Sequence, residues 1–355
     1  MDKRWEKLGN ILVHYSTAVQ PGERVMIAMI EQETLPLAQA VYKAVIQAGG
    51  FPQIQFLSET LRRSLLTYGN PEQISWIPEM EQWGMEWANV YIGLRGAHNL
   101  FELEEIPSEK LAANQGAMGI ISSDRWKKTR WCLVRVPNES LAQQAKTNYE
   151  TLENMFFSAC FRNWEQESEV WNQWAKTLRC GNDIRIIGKG TDLSFSVKNR
   201  IWIPFAGINN MPDGEIATAP VTSTVTGSIS FENPGVLGGR FINDICITWE
   251  KGILIKATSS TEQDFLKSII TKDEGASRIG EFAFGTNYGI DRFCNDILLD
   301  EKIMGTIHIA LGRSYPECGG KNRSAIHWDI IKDLRREGSV LLDGKPILKN
   351  GKILL

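Results

Sequence analysis

The chain has 355 residues, 43% of them hydrophobic and 23% charged, enough to bury a sizeable core and to divide into two domains. Its formal net charge of −3 offers no basic field for nucleic acid or an anionic membrane, so neither is expected as a partner. No apolar run follows Met1-Asp2-Lys3-Arg4, and no stretch approaches the roughly 18 apolar residues that cross a bilayer, which predicts a cytoplasmic protein without a signal peptide.

Trp5, Leu8, Ile11, Leu12 and Tyr15 recur at helical spacing and predict an amphipathic first helix. The run RVMIAMI over 24–30 reads as a buried strand, and 35–48 as a helix stopped by Gly49-Gly50. Strands at 52–57, 90–94 and 131–136 alternate with helical patterns at 61–68, 78–88 and 139–160. That alternation predicts an α/β domain with a parallel sheet. No G-x-G-x-x-G follows its first strand, so it carries no dinucleotide fingerprint. A helical stripe containing Trp164, Val170, Trp171, Trp174 and Leu178 leads to the turn Gly181-Asn182, which sets domains at 1–180 and 181–355.

Beyond that turn the pattern changes. Short strand signals at 184–187, 193–197, 228–231, 245–249 and 253–257 are separated by turns, with one helix at 264–270. A mostly antiparallel α+β domain fits them. Gly188-Lys189-Gly190-Thr191 holds only the end of a phosphate loop, since Asp183 stands where its first glycine belongs. The six cysteines form no C-x-x-C pair, as expected of reduced thiols.

Of the four histidines, His14 falls on the first helix and His98 in a loop after the third strand. His308 and His327 stand instead in apolar strand signals near carboxylates. In a strand, residues two apart share a face, so His327 and Asp329 project together. Such a pair suits a divalent cation, which compensates a buried carboxylate; a polar core network is the other reading. Glu215 leaves the turn Pro212-Asp213-Gly214, and Glu281 follows Gly280. Turns hold side chains at scaffold edges, where sites form, although a solvated glutamate is the default reading of either turn. Three carboxylates and two imidazoles would suit one or two borderline metals such as Zn, Co or Mn.

The ordered runs GKGTDLSFSV, NNMPDGEIATAP, IGEFAFGTN, DEKIMGTIHIALG with Tyr315 three residues on, and SAIHWDII resemble the metallo-aminopeptidase family of aminopeptidase T and aminopeptidase S. Looser similarity at Tyr15-Ser16, 21–25 and 131–137 extends the likeness over essentially the whole chain. The resemblance implies a two-metal exopeptidase acting on short peptides, with metal ligands at Glu215, Glu281, His308, His327 and Asp329. It puts an active-site tyrosine at Tyr315 and an acidic residue beside the metals at Glu301. Glu281 or Glu301 would move the proton, and the family implies a homodimer. Spacings between motifs are short for this family. A related fold also serves mononuclear iron(II) dioxygenases acting on hydroxylated pyridines, for which His308, His327 and Asp329 would supply the two-histidine, one-carboxylate triad.

Overall fold

Apolar runs without alternation build the central strands of the first parallel sheet. The computed structural model describes residues 2–355, with all their side chains but those of 124–127. RVMIAMI forms strand Arg24–Ile30, whose five central residues are buried. Such a strand is covered on both faces and needs no polar side. The sheet order is Phe51–Leu57, Arg24–Ile30, Val90–Arg95, Arg130–Arg135, Asn210–Met211, every pair parallel. Helix Leu35–Gln47 carries a proline in its first turn, where the missing N–H costs nothing, and buries Leu37, Val41 and Val45. Helices Glu59–Tyr68 and Glu79–Trp87 follow as predicted. Helix Ser108–Lys128 has no counterpart in the sequence reading. Gly116 and Gly119 lie within it, each costing about 1 kcal/mol of helix propensity against alanine and blurring its pattern.

The chain divides into two compact units, one of residues up to Phe161 with Gly207–Pro212, the other of Arg162–Ala206 with Asp213–Leu355. A boundary at 180 does not anticipate this exchange of segments. Helix Trp164–Leu178 packs on strand Ile203–Phe205, and Arg179 just after it donates to the Trp202 carbonyl at 3.0 Å, which ties both to the second unit. The first unit takes Gly207–Pro212 because Asn210–Met211 hydrogen-bonds to Arg130–Arg135.

The second unit holds two antiparallel sheets. The eight-stranded one runs Ile253–Thr258, Cys246–Glu250, Thr226–Ser230, Thr191–Ser196, Asp183–Gly188, Ser339–Leu342, Lys345–Lys349, Lys352–Ile353. The five-stranded one runs His327–Asp333, Thr306–Gly312, Ile279–Gly285, Glu215–Thr218, Ile203–Phe205. The fold class is thus the expected one, a parallel α/β region followed by an antiparallel α+β region. Among the described residues no helix is long and apolar enough to cross a membrane. All six cysteines are free thiols, four of them buried.

Candidate metal centre

Register in the five-stranded sheet decides which side chains meet. Gly312 pairs with His327, Ala310 with both Asp329 and Glu281, Ala283 with His308, and Gly285 with Glu215. Paired residues share a face, and so do residues two apart. Glu215, Glu281, His308, His327 and Asp329 therefore all project from one face, interleaved with Ala217, Ala283, Gly285 and Ala310. The small residues leave the space that the larger groups fill. Two turns fix the glutamates. Gly214, at φ +131°, precedes Glu215, and a Cβ there would lie 2.8 Å from Asn287 Cβ. Gly280 is the extra residue of a bulge beside Glu281, where a Cβ would collide with the Gly312 and Arg313 carbonyl oxygens.

The groups form two triads. Glu215, Glu301 and His308 make one, Glu281, His327 and Asp329 the other, the ligand atoms of each within 4.8 Å of one another. Glu281 stands between them: its Oε1 is 3.8 Å from His308 Nε2 and its Oε2 is 3.1 Å from His327 Nε2. Glu215 Oε2 lies 3.4 Å from His308 Nε2, and Asp329 Oδ1 3.5 Å from His327 Nε2. His327 Nδ1 is 2.8 Å from the Arg313 carbonyl oxygen. Donation there sets the tautomer and leaves Nε2 facing the carboxylates.

Burial and charge pull these groups in opposite directions. Burial raises Glu215 to about 7, Lys302 offsetting only part of the effect. Burial also works against the Glu281 anion, but hydrogen bonds from His308 and His327 outweigh it and hold the group down to about 2. Desolvation disfavours both imidazolium ions, yet the surrounding carboxylates raise His308 to about 9 and His327 to about 10. Burial likewise lifts Glu301 and Asp329. So dense a set of carboxylates gathers protons unless another cation is bound.

Residues outside the expected set complete the pocket. Lys302 is fully buried, its Nζ 2.7 Å from Glu215 Oε1, 2.8 Å from Glu301 Oε1 and 3.4 Å from Asp213 Oδ1. Asp213, fully buried, accepts from the Gly214 N–H at 2.9 Å. Asp300 Oδ1 accepts from the Cys294 N–H at 2.7 Å and braces the loop before Glu301. Their one sequence signal is position: each adjoins or nearly adjoins an expected site residue. Tyr315 leans on His327 with ring centroids 5.0 Å apart. Burial and then Glu281 and Asp329 push its hydroxyl far up, so it stays a hydrogen-bond donor. Cys318 is buried, burial lifts its thiol to about 12, and it belongs to neither triad. His14 is exposed; His98 belongs to the first unit, half exposed, with Nδ1 3.7 Å from Glu31 Oε2.

The donor set fits divalent cations. Glu215 Oε2 and Asp329 Oδ1 are buried without a hydrogen-bond partner, and each points at an imidazole nitrogen of its own triad. Imidazole with carboxylates is the donor chemistry of borderline metals.

Known proteins share this architecture. The Thermus thermophilus protein titled wild-type AmpT superposes with a TM-score of 0.88 over 99% of each chain at 21% identity, a likeness of fold. A 2,5-dihydroxypyridine dioxygenase from Pseudomonas putida KT2440 gives 0.63 over 100% of this chain and 98% of that one at 13% identity, also a likeness of fold alone. Aminopeptidase PepS of Streptococcus thermophilus is 24% identical, the match covering 98% of this chain and 97% of that protein. The sequence model of the M29 family, described as thermophilic metalloprotease, matches residues 1–353. Since that match spans nearly the whole length, both units included, the chain belongs to the M29 family of thermophilic metalloproteases.

Proposed function

We infer that this chain is a metal-dependent aminopeptidase that releases N-terminal residues from short peptides, with two divalent ions, Zn, Co or Mn, at one centre. The observation that carries the reading is the pair of triads on one sheet face with Glu281 reaching both. Glu215 and His308 with Glu301 would hold one ion, and His327 and Asp329 the other, with Glu281 between them. A pair bound there supplies an acidified water and a polarised scissile carbonyl.

The chain's own residues do the rest. Two carboxylates are candidates to carry the proton from water to the leaving amine. They are Glu281, which reaches both triads, and Glu301, which belongs to the first. Tyr315 keeps its hydroxyl proton and can donate to the oxygen on which charge develops. The excess of carboxylates suits a substrate with a free α-amino group. A cytoplasmic location is supported by cysteines that form no disulfide among the described residues. A homodimer is supported by the exposed apolar side chains of Tyr42, Ile46, Phe51 and Phe56, and sedimentation tests it.

The iron dioxygenase alternative would use His308, His327 and Asp329 around one ion. His308 groups with Glu215 and Glu301, while His327 and Asp329 group with Glu281. That arrangement favours the metal pair. The test is hydrolysis of aminoacyl-nitroanilides and short peptides before and after exhaustive chelation. Activity should vanish with the metals and return with Co or Zn; full activity in demetallated protein would overturn the reading.

A further inference from the structure

The two triads differ in one respect that the ligand set alone does not reveal. Lys302 lies between the glutamates of the first triad, with its Nζ on Glu215 Oε1 and Glu301 Oε1 at 2.7 and 2.8 Å. The carboxylates of the second triad are paired, among the described residues, with imidazoles alone. An imidazole can shed its proton and become a ligand. The Lys302 side chain cannot become a ligand without giving up both of its glutamate partners, and it is fully buried. Asp213 stands behind these contacts at 3.4 Å, further from the ammonium than either glutamate, and returns only part of the charge.

We propose that Lys302 is a resident cation that makes the two metal positions unequal, the Glu215–Glu301–His308 position being the weaker and more readily exchanged. The inference rests on the paired-metal reading above. Each glutamate of the first triad gives one oxygen to the ammonium, leaving Glu215 Oε2, which has no hydrogen-bond partner, as the atom directed at His308. A divalent ion at this position sits a few ångströms from a fixed positive charge. Even at the dielectric of water that repulsion is worth on the order of tenfold in affinity, and more in a buried pocket. Lys302 also keeps the first triad assembled before metal arrives, since the buried carboxylates of Glu215, Glu301 and the neighbouring Asp213 would otherwise repel one another. It is a positioning residue, acting on the centre through Glu215 and Glu301.

The test is calorimetric and visible-absorption titration of Co(II) into the demetallated full-length chain. The wild type should bind two ions in two steps at least about tenfold apart. Lys302→Met, which keeps the length and removes the charge, should tighten the weaker step, and Lys302→Arg should leave two steps. Glu301→Gln should remove the weaker step and Asp329→Asn the tighter one, an assignment that holds even if Lys302→Met does not fold. Two ions of indistinguishable affinity in the wild type would overturn the inference and leave the paired-metal reading standing. So would a Lys302→Met chain whose weaker step is unchanged or looser, or a reversed assignment by the ligand variants. A wild type that binds one ion only would overturn both.

Discussion

The five-stranded sheet that carries the candidate centre has two faces made of alternate residues of the same segments, and the two could hardly differ more. One presents Glu215, Glu281, His308, His327 and Asp329 among alanines and a glycine. The other presents Ile216, Phe282, Phe284, Ile307, Ile309, Leu311, Trp328 and Ile330, all buried. On that side Phe195, Phe282, Phe284 and Trp202 stack edge to face or in parallel at 5.0–6.0 Å between centroids. The two faces divide the labour. The aromatic face supplies the packing energy that fixes the backbone, and the fixed backbone lets five polar side chains be held together at a cost they could not bear themselves. Strand alternation makes the division possible, because neither face has to compromise for the other.

Variants on opposite faces of the same strand should break different things. Glu281→Ala removes the carboxylate that reaches both triads and should abolish essentially all turnover on peptide substrates, while circular dichroism and the unfolding midpoint stay close to wild type. Asp329→Ala should behave alike. Near-normal rates for Glu281→Ala would remove the site assignment. One residue along, Phe282→Ala empties a fully buried aromatic position and should cost about 3–5 kcal/mol in denaturant unfolding. The fraction that stays folded should still take up metal. If Phe282→Ala lost its metal without losing stability, the two faces would not be independent.

Tyr315→Phe is a smaller perturbation on the polar side. It deletes one hydroxyl and keeps the ring that leans on His327. Loss of one donor to developing charge lowers kcat by about 10²–10³-fold. KM should change little, because the contact strengthens only in the transition state. Steady-state kinetics with metal analysis decides the matter. An unchanged kcat, or a variant that has lost its metals, would give Tyr315 a different task.

Sequence reasoning reached the two faces unequally. The pairing of His327 with Asp329 was legible because period-two geometry needs only one strand. Glu215 and Glu281 stood out weakly, as glutamates beside glycines, and their place in the centre depends on cross-strand register, which no local pattern encodes. It was the resemblance of five ordered motifs that named them as expected ligands. Lys302 went unnoticed although it adjoins Glu301, because a lysine is almost never fully buried without partners, and its partners Asp213 and Glu215 lie some 90 residues away in sequence. In the first unit the central parallel strands Arg24–Ile30 and Val90–Arg95 were legible from apolar runs alone. Strand Asn210–Met211 was not, since two residues carry no periodicity and its pairing with Arg130–Arg135 is a tertiary fact. Helix Trp164–Leu178 was found, but a helix does not announce which unit its apolar stripe will meet.

The mildest prediction separates the faces by their response to pH. The aromatic face presents no imidazole or carboxylate among the described residues of these strands, its one charged side chain, Lys332, being paired with Glu232, whereas His308 and His327 sit at about 9 and about 10 in the metal-free protein, raised by carboxylates against the pull of burial. At neutral pH both imidazoles therefore hold protons that an incoming ion must displace. Glu215, at about 7, is half protonated there and adds to the competition. The sign follows directly. Raising the pH strips protons from the ligands, so apparent metal affinity rises, by up to about tenfold per pH unit for each group still protonated, and levels off above the histidine values. Binding at pH 7 should release protons, and titration calorimetry in two buffers of different ionisation enthalpy counts them. Phe282→Ala should leave that count unchanged, and His327→Ala should lower it. Affinity flat between pH 6 and 8, with no proton released, would mean that the imidazoles are already neutral. The carboxylates of the polar face would then be balanced in some way other than by protons.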